Sequence, residues 1–450
     1  MNGRREQDSG RRWAGLAFAA IVVALLFGAR DARAEQIKLN ALLSHPSIQA
    51  NKSGTIYLKV GLTGFEMSNP KERAPVNLSV VLDRSGSMAG DKLYHAREAA
   101  KMVVDMLNAN DVFSLVVYDH TVRVLIPSTR VNDKEGIKAQ IDRIRPGGST
   151  ALFAGVSKGI AEVRKFLAHN RVNRVILLSD GLANVGPSSP NALGRLGAAA
   201  RKLGVAVTTV GLGLDYNEDL MTQLAQNSDG NHGFARTATD LTRIFKAELG
   251  DVLTVVAQEV SLTITCAPGI RPVRVIDRQA TIRGQKVSLT LNQLYSKQEK
   301  FVLLEVEVPA GKDGSQLKVA DVAVQYANMR TKTADKLTST VSAGFSADAK
   351  QVDSMINRQV MVDVVDAIAN EMSKKALILR DQGNIDKARV LLLKNERYLN
   401  TMGNRYNSRR LLESGVKQRK FADRIRGKRW KKTRKAMRKM HYLKQNQMSY

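Results

Sequence analysis

Cysteine is almost absent from this sequence, because Cys266 is the only one among 450 residues. The chain therefore cannot form an internal disulfide, and its domains must be held by packing and by any metal that it binds. Aromatic residues make up only 5% of the chain, so we expect cores of Val, Leu, Ile and Ala. The six His residues show no ligand spacing, and we assign them and Cys266 no chemistry.

Long apolar runs are also scarce, and the only one lies near the amino terminus. Four arginines among the first twelve residues precede the apolar run 14–27, and Ala32-Arg33-Ala34 follows it. This pattern predicts a secretory signal over residues 1–34, with cleavage after Ala34 and a periplasmic or secreted location. An uncleaved membrane anchor is the alternative, because the apolar stretch falls just short of the roughly 20 residues that span a bilayer.

Acidic residues are few beside basic ones, with 42 against 70, and the net charge is +28. The excess is concentrated in residues 416–450, which hold fourteen Lys and Arg and one acid, Asp423. Such charge density predicts a tail, extended or transiently helical, that does not pack in a core. Because export removes the chain from nucleic acid, we expect this tail to bind an anionic membrane surface or another polyanion, or only to aid solubility. The candidate anion-binding residues are Lys428, Arg429, Lys431, Lys432, Arg434 and Lys435.

Short Val- and Leu-rich runs alternate with helical periodicity over residues 76–250. The runs at 78–83, 112–118, 174–179 and 205–211 are almost continuously apolar, which is typical of strands covered on both faces. This alternation predicts an α/β domain with a doubly wound, mostly parallel sheet.

The segments on either side have a different texture. Short strand-like runs with Gly, Pro and Asn turns over residues 251–346 predict an antiparallel β-sandwich. Two strands within residues 35–75 lack a sheet of their own, so we expect them to join that sandwich. The α/β domain would then be an insertion in it. Residues 347–415 predict a helical hairpin, and the basic tail follows.

Oxygen-bearing side chains follow the first strand of the α/β domain and recur at two later turns. Asp83, Ser85 and Ser87 form a D-x-S-x-S run, Thr150 ends the turn 147–150, and Asp180 follows another strand. In open α/β sheets, ligands bind at the carboxyl ends of strands, where these turns can meet. All five side chains offer oxygen, so a hard cation is favoured: Mg²⁺, with Mn²⁺ or Ca²⁺ possible.

On these five residues the chain resembles the von Willebrand factor A family, over about residues 74–250. The family's metal-ion-dependent adhesion site has a D-x-S-x-S run, a loop Thr and an Asp after the fourth strand, in this order. The resemblance implies that Ser85, Ser87 and Thr150 touch the metal, while Asp83 and Asp180 act largely through water. It also implies that a protein partner supplies a carboxylate to the open metal position. The whole architecture resembles inter-alpha-trypsin inhibitor heavy chains and bacterial secreted relatives.

Two enzymatic interpretations compete with binding. Residues 155–159 spell G-x-S-x-G, but the apolar periodicity predicts that Ser157 lies inside a helix and not on a nucleophile elbow. A phosphatase using Asp83 would need a second acid two residues on, where this chain has Ser85. With no acid/base pair evident we predict no catalytic residues and a binding function. A Mg²⁺-dependent hydrolase of the envelope is the alternative.

Overall fold

The computed structural model of the protein describes residues 36–67, 73–427 and 430–448. The predicted signal and two candidate anion-binding residues, Lys428 and Arg429, lie outside the described residues. The middle of the chain forms a six-stranded sheet covered by helices, as the sequence predicted. Its strands are β4 (Val76–Asp83), β5 (Val112–Tyr118), β6 (Val122–Arg130), β7 (Val172–Ser179), β8 (Ala206–Leu212) and β9 (His232–Ala235). Its helices are α1 (Asp91–Met106), α2 (Lys134–Asp142), α3 (Leu152–Arg164), α4 (Pro190–Lys202), α5 (Glu218–Ser228) and α6 (Asp240–Leu253).

The strands of this sheet lie in the order β6-β5-β4-β7-β8-β9, and all neighbours are parallel except β5 and β6. Every residue of β4 and of β7 is buried, because helices cover both faces of these central strands. From β4 the chain first extends the sheet through β5 and later returns to add β7 on the other side. This reversal opens a crevice at the carboxyl ends of β4 and β7, where a ligand can bind.

The α/β domain is inserted in an antiparallel sandwich. Its strands before the α/β domain are β1 (Lys38–Leu43), β2 (Ser47–Gln49) and β3 (Gly54–Thr63). Its strands after that domain are β10 (Val255–Cys266), β11 (Arg271–Val275), β12 (Thr281–Arg283), β13 (Lys286–Tyr295), β14 (Glu299–Val308), β15 (Gln316–Asn328) and β16 (Ala334–Ser346). One sheet has the order β1-β3-β14-β11 and the other β12-β13-β10-β15-β16-β2, and among these strand pairs only β2–β16 is parallel. Strand β3 pairs along its length with β14, so strands from before and after the α/β domain share one core.

A helical region follows the sandwich. Two long helices, Arg358–Asp381 and Ile385–Arg405, form the hairpin that the sequence predicted, and the turn between them contains Gly383 at φ 85°, a conformation that suits glycine. No helix of the described segments is both long and apolar enough to cross a membrane. The helices are α7 (Ala349–Ser354), α8 (Arg358–Asp381), α9 (Ile385–Arg405), α10 (Arg409–Arg424) and α11 (Trp430–Gln445).

The expectation of an unpacked basic tail is wrong for its described residues. Helix α10 packs on α9, and α11 packs between α8 and the α/β domain. The charge of α11 is tolerated because acids of other elements meet it. Lys435 is buried with its Nζ 2.5 Å from a Glu218 carboxylate oxygen, and Arg434 bridges Asp219 and Asp381 at 2.6 and 2.7 Å.

Candidate metal centre

The D-x-S-x-S run forms a tight turn at the end of β4. The Ser85 N–H donates to Asp83 Oδ1 at 2.8 Å, and Ser85 Oγ lies 3.2 Å from Ser87 Oγ. Asp83 and Ser85 are buried, whereas Ser87 is exposed at the mouth of the crevice. The turn therefore holds three oxygen-bearing side chains close together, with one of them facing solvent.

Asp180 joins this group from the neighbouring strand. It follows Ser179, the last residue of β7, and its Oδ1 accepts a hydrogen bond of 2.7 Å from Ser87 Oγ. Strands β4 and β7 are paired through Leu82 and Leu178, so their carboxyl ends lie side by side. The two parts of the predicted site meet because the sheet places these strand ends together.

Thr150 approaches from a loop that is bonded directly to the D-x-S-x-S turn. The Gly86 N–H donates to the Gly148 carbonyl at 2.9 Å. A side chain at Gly147 would collide with Asp119, so glycine permits this close approach. The Thr150 N–H donates to Asn184 Oδ1 at 2.7 Å, which fixes the loop to the segment after Asp180.

The position of Gly181 shows that Thr150 completes the group. A Cβ placed on Gly181 would lie 3.5 Å from Thr150 Oγ1 and 3.6 Å from Ser87 Oγ. The two hydroxyls therefore face the same small space beside Asp180. The structure thus brings all five predicted residues to one point, and their binding of a metal stays a prediction.

Asp83 is held on its second oxygen as well. Asp83 Oδ2 accepts from Ser179 Oγ at 2.7 Å and lies 3.4 Å from the hydroxyl of Tyr118. Burial raises the pKa of Asp83 above its ordinary value, and the charge of Asp180 acts in the same direction, while hydrogen bonds from Ser85 and Ser179 oppose them. A cation beside these two carboxylates would relieve both effects.

Lys92 lies at this site although the sequence did not predict it there. Its Nζ lies 2.5 Å from Asp180 Oδ2 and 3.1 Å from the Ser87 carbonyl oxygen. It sits in the first turn of α1, just beyond the D-x-S-x-S run, so the strand–turn–helix pattern was the available signal. The ion pair between its ammonium and Asp180 shows that the carboxylates of the site attract a positive charge.

The donor set fits a hard divalent cation. Its oxygens come from two carboxylates and three hydroxyls, without the His or Cys that softer metals prefer. Within the described ranges, no cluster of three or more His, Cys, Asp and Glu side chains could hold a metal. A metal here therefore depends on Ser85, Ser87 and Thr150 as well as on the two acids.

The structure also shows the surroundings of the other residues that the sequence singled out. Ser157 lies inside α3 and its Oγ donates to the Phe153 carbonyl at 2.9 Å, so the helix prediction is confirmed. Burial raises the pKa of the Cys266 thiol to about 11, which opposes a thiolate role. Of the candidate anion-binding residues, Lys435 is enclosed, whereas Lys431 and Lys432 are exposed.

Residues 77–247 match the model of the von Willebrand factor type A domain, so the α/β part of the chain is a domain of this family. It is 26% identical over 302 residues to the uncharacterized protein sll0103 of Synechocystis sp., covering 65% of this chain and 71% of that protein. It is 29% identical over 208 residues to inter-alpha-trypsin inhibitor heavy chain H2 of Sus scrofa, covering 43% of this chain and 22% of that protein.

A solved structure supports the whole architecture. The von Willebrand factor type A structure from Catenulispora acidiphila superimposes with a TM-score of 0.70 and covers 92% of this chain and 97% of its own. The sequence identity is 15%, so this likeness shows the fold alone. A domain of this family supports a protein-interaction or adhesion-type function.

Proposed function

We propose that this chain is an exported protein that captures a protein partner through a divalent cation, Mg²⁺ in the first place, at the carboxyl end of its α/β sheet. The observation that carries the proposal is the convergence of Asp83, Ser85, Ser87, Thr150 and Asp180 at one point of the crevice. Such an ion, when bound, supplies positive charge and an open coordination position. Neutral hydroxyls do not cancel that charge, so an acidic side chain of a partner is attracted to it.

The residues around the site position its donors. Ser179 and the Ser85 N–H hold Asp83, and Asn184 holds the Thr150 loop. Since three of the five donors are hydroxyls fixed by the backbone of two loops, the cation site is largely formed before a ligand arrives. We assign no catalytic residue, because Ser157 lies within helix α3 with its Oγ bonded to the Phe153 carbonyl, and not on a strand-to-helix elbow.

Export rests on the arginine-rich start and the apolar run before Ala34. We propose a periplasmic or secreted location, with a retained N-terminal anchor as the alternative. Amino-terminal sequencing of protein purified from the envelope and the medium tests this. A new terminus at Glu35 supports cleavage, and an intact terminus in the membrane fraction supports the anchor.

Exposed Ser87 offers the test of the metal site that least disturbs the fold. We expect Mg²⁺ to raise the melting temperature of the wild-type protein relative to EDTA. Ser87→Ala should keep the EDTA melting curve and lose most of the Mg²⁺ effect. The control is Ser128→Ala, which removes a hydroxyl bonded to Glu162 away from the site. Identical wild-type curves in Mg²⁺ and EDTA would contradict the proposal.

A second candidate function is binding to an anionic surface, favoured by one face of α10. Lys417, Lys420 and Arg424 are exposed at helical spacing, and no carboxylate of the described residues lies within ion-pairing distance of them. Lys420→Glu should weaken salt-sensitive co-sedimentation with anionic lipid vesicles. Arg419→Glu is the matched control, because Arg419 already faces Glu396 and Asp423 at 3.5 Å. Equal sedimentation of both variants and wild type would exclude this face.

A further inference from the structure

Three exposed aliphatic side chains lie beside the candidate metal centre. Leu182 and Val185 follow β7, and Leu214 follows β8; they are 58, 36 and 36% exposed. Strands β7 and β8 are neighbours, and Ser179, the last residue of β7, is paired with Gly211, the residue before the last in β8. The loops that carry the three side chains therefore emerge side by side at the carboxyl edge of the sheet.

The loop that carries Leu182 and Val185 is hydrogen-bonded to Thr150 of the site. Leu182 comes directly after Gly181, which lies against Thr150 and Ser87. The Val185 N–H approaches the Thr150 carbonyl at 3.3 Å. A segment that reached the metal position would therefore contact this aliphatic patch (Leu182, Val185 and Leu214) as well.

Positive side chains border the patch on the side of Leu214. Lys431, near the start of α11, lies 2.7 Å from Asp215, the next residue after Leu214. Lys431 lowers the pKa of Asp215, and the charge of Lys92 acts in the same direction. Asp215 is thus already matched by bases, and Lys432 is exposed next to Lys431.

We propose that the aliphatic patch and the metal centre together dock an exposed segment of a partner protein in which Asp or Glu lies next to Leu, Ile or Val. This inference rests on the proposed function and adds the kind of sequence that is recognised. The carboxylate would meet the cation, and the aliphatic neighbour would cover Leu182 or Leu214. Lys92, whose partner Asp180 would be taken by the cation, and the exposed Lys432 favour an acidic segment over a basic one.

Random peptides displayed on phage, selected on the purified protein in Mg²⁺ and again in EDTA, test the inference. We expect Mg²⁺-dependent peptides to carry an acid beside an aliphatic residue. A selected peptide, synthesised and titrated, should bind Leu182→Asp and Leu214→Asp about tenfold more weakly than wild type. The matched control is Leu203→Asp, because Leu203 is also 36% exposed but lies before β8, at the opposite edge of the sheet.

The outcomes separate the inference from the proposed function. Peptides with an acid but no aliphatic preference, or equal binding by Leu214→Asp and Leu203→Asp, would overturn the inference and leave the metal centre in place. Failure to select any peptide, with Mg²⁺ binding established by calorimetry, would also overturn it. Peptides that bind equally well in EDTA would instead count against the proposed function.

Discussion

The two ends of strand β7 carry polar clusters of different kinds. At its amino end, Arg174 is fully buried and donates to Thr208 Oγ1 at 3.1 Å, to Gln293 at 2.7 Å and to the Tyr295 hydroxyl at 2.9 Å. At its carboxyl end, Asp180 faces Ser87, whose side chain reaches solvent.

The two clusters differ in whether their polar groups bond to one another or face an open space. The Arg174 cluster joins β7 and β8 to β13 of the sandwich, so it binds one domain to the other from inside. The cluster at the other end gathers oxygens around a small open space. Among the residues that the structure describes, Lys92 alone forms an ion pair with it. A buried polar cluster has a structural role when its donors and acceptors are hydrogen-bonded to one another. It becomes a candidate ligand-binding site when several oxygen acceptors converge on a space that is open to solvent.

Removing Arg174 should have the largest effect on stability. Arg174→Met should lower the free energy of unfolding by about 3–5 kcal/mol, because it deletes the charge that faces Glu248 through Thr208 in the interior. Urea denaturation followed by circular dichroism measures this. Arg164→Met, at an exposed position of α3, should change it by less than about 0.5 kcal/mol. A similar small change for both would show that the Arg174 cluster is not structural.

Neutralising Asp83, at the carboxyl edge of the sheet, should not lower the free energy of unfolding in the absence of metal. Because the pKa of Asp83 is raised in the fold, Asp83→Asn should be at least as stable as wild type in EDTA. Wild type should gain about 2.7 kcal/mol when Mg²⁺ is 100-fold above its Kd, and the variant should gain nothing. Urea denaturation in Mg²⁺ and in EDTA decides both points. A variant that is strongly destabilised in EDTA would make Asp83 a structural residue like Arg174.

His232 is another buried polar side chain of the α/β domain, and its burial keeps it neutral. Burial lowers its pKa to about 3 from the ordinary 6.5. As the pH falls, His232 is therefore protonated in the unfolded chain before it is protonated in the folded protein. The stability that neutral His232 contributes is fully present above pH 6.5 and is lost as the pH falls from 6.5 toward 3. This loss amounts to about 2 kcal/mol between pH 6.5 and 5. His232→Gln should flatten that slope in urea denaturation across pH, whereas the exposed His169→Gln should not. Equal slopes for the two variants would contradict the assignment.

The smallest expected effect concerns Lys92. Lys92→Met should tighten Mg²⁺ binding about tenfold, since the ammonium no longer competes for Asp180. Titration calorimetry with Mg²⁺ measures the change. Lys101→Met is the control, because Lys101 lies on the same helix but pairs with Glu98 and Asp142. Weaker binding by Lys92→Met would mean that Lys92 supports the site.

The sequence predicted best those features that depend on residues close together in the chain. The D-x-S-x-S run and the apolar strands predicted the α/β fold and the point at which Asp83 and Asp180 meet. The packing of α11 was missed, because Lys435 finds its acid in Glu218, 217 residues earlier in the chain. Composition alone could not show that a distant acid would match this charge. Asn184 was missed for a similar reason, since its hydrogen bond to Thr150 depends on how two loops meet.

The insertion of the α/β domain in the sandwich has a mechanical consequence. Gly64, after β3, and Thr254, before β10, are hydrogen-bonded to the same turn of the sandwich at Gln298, Lys297 and Ser296, at 2.8–3.1 Å. The domain thus enters and leaves the sandwich at one place, near its Arg174 edge, while the candidate site lies at the opposite edge. If a partner is captured at that site as proposed, its pull would be divided between two chain connections in parallel, and each would carry only part of the load.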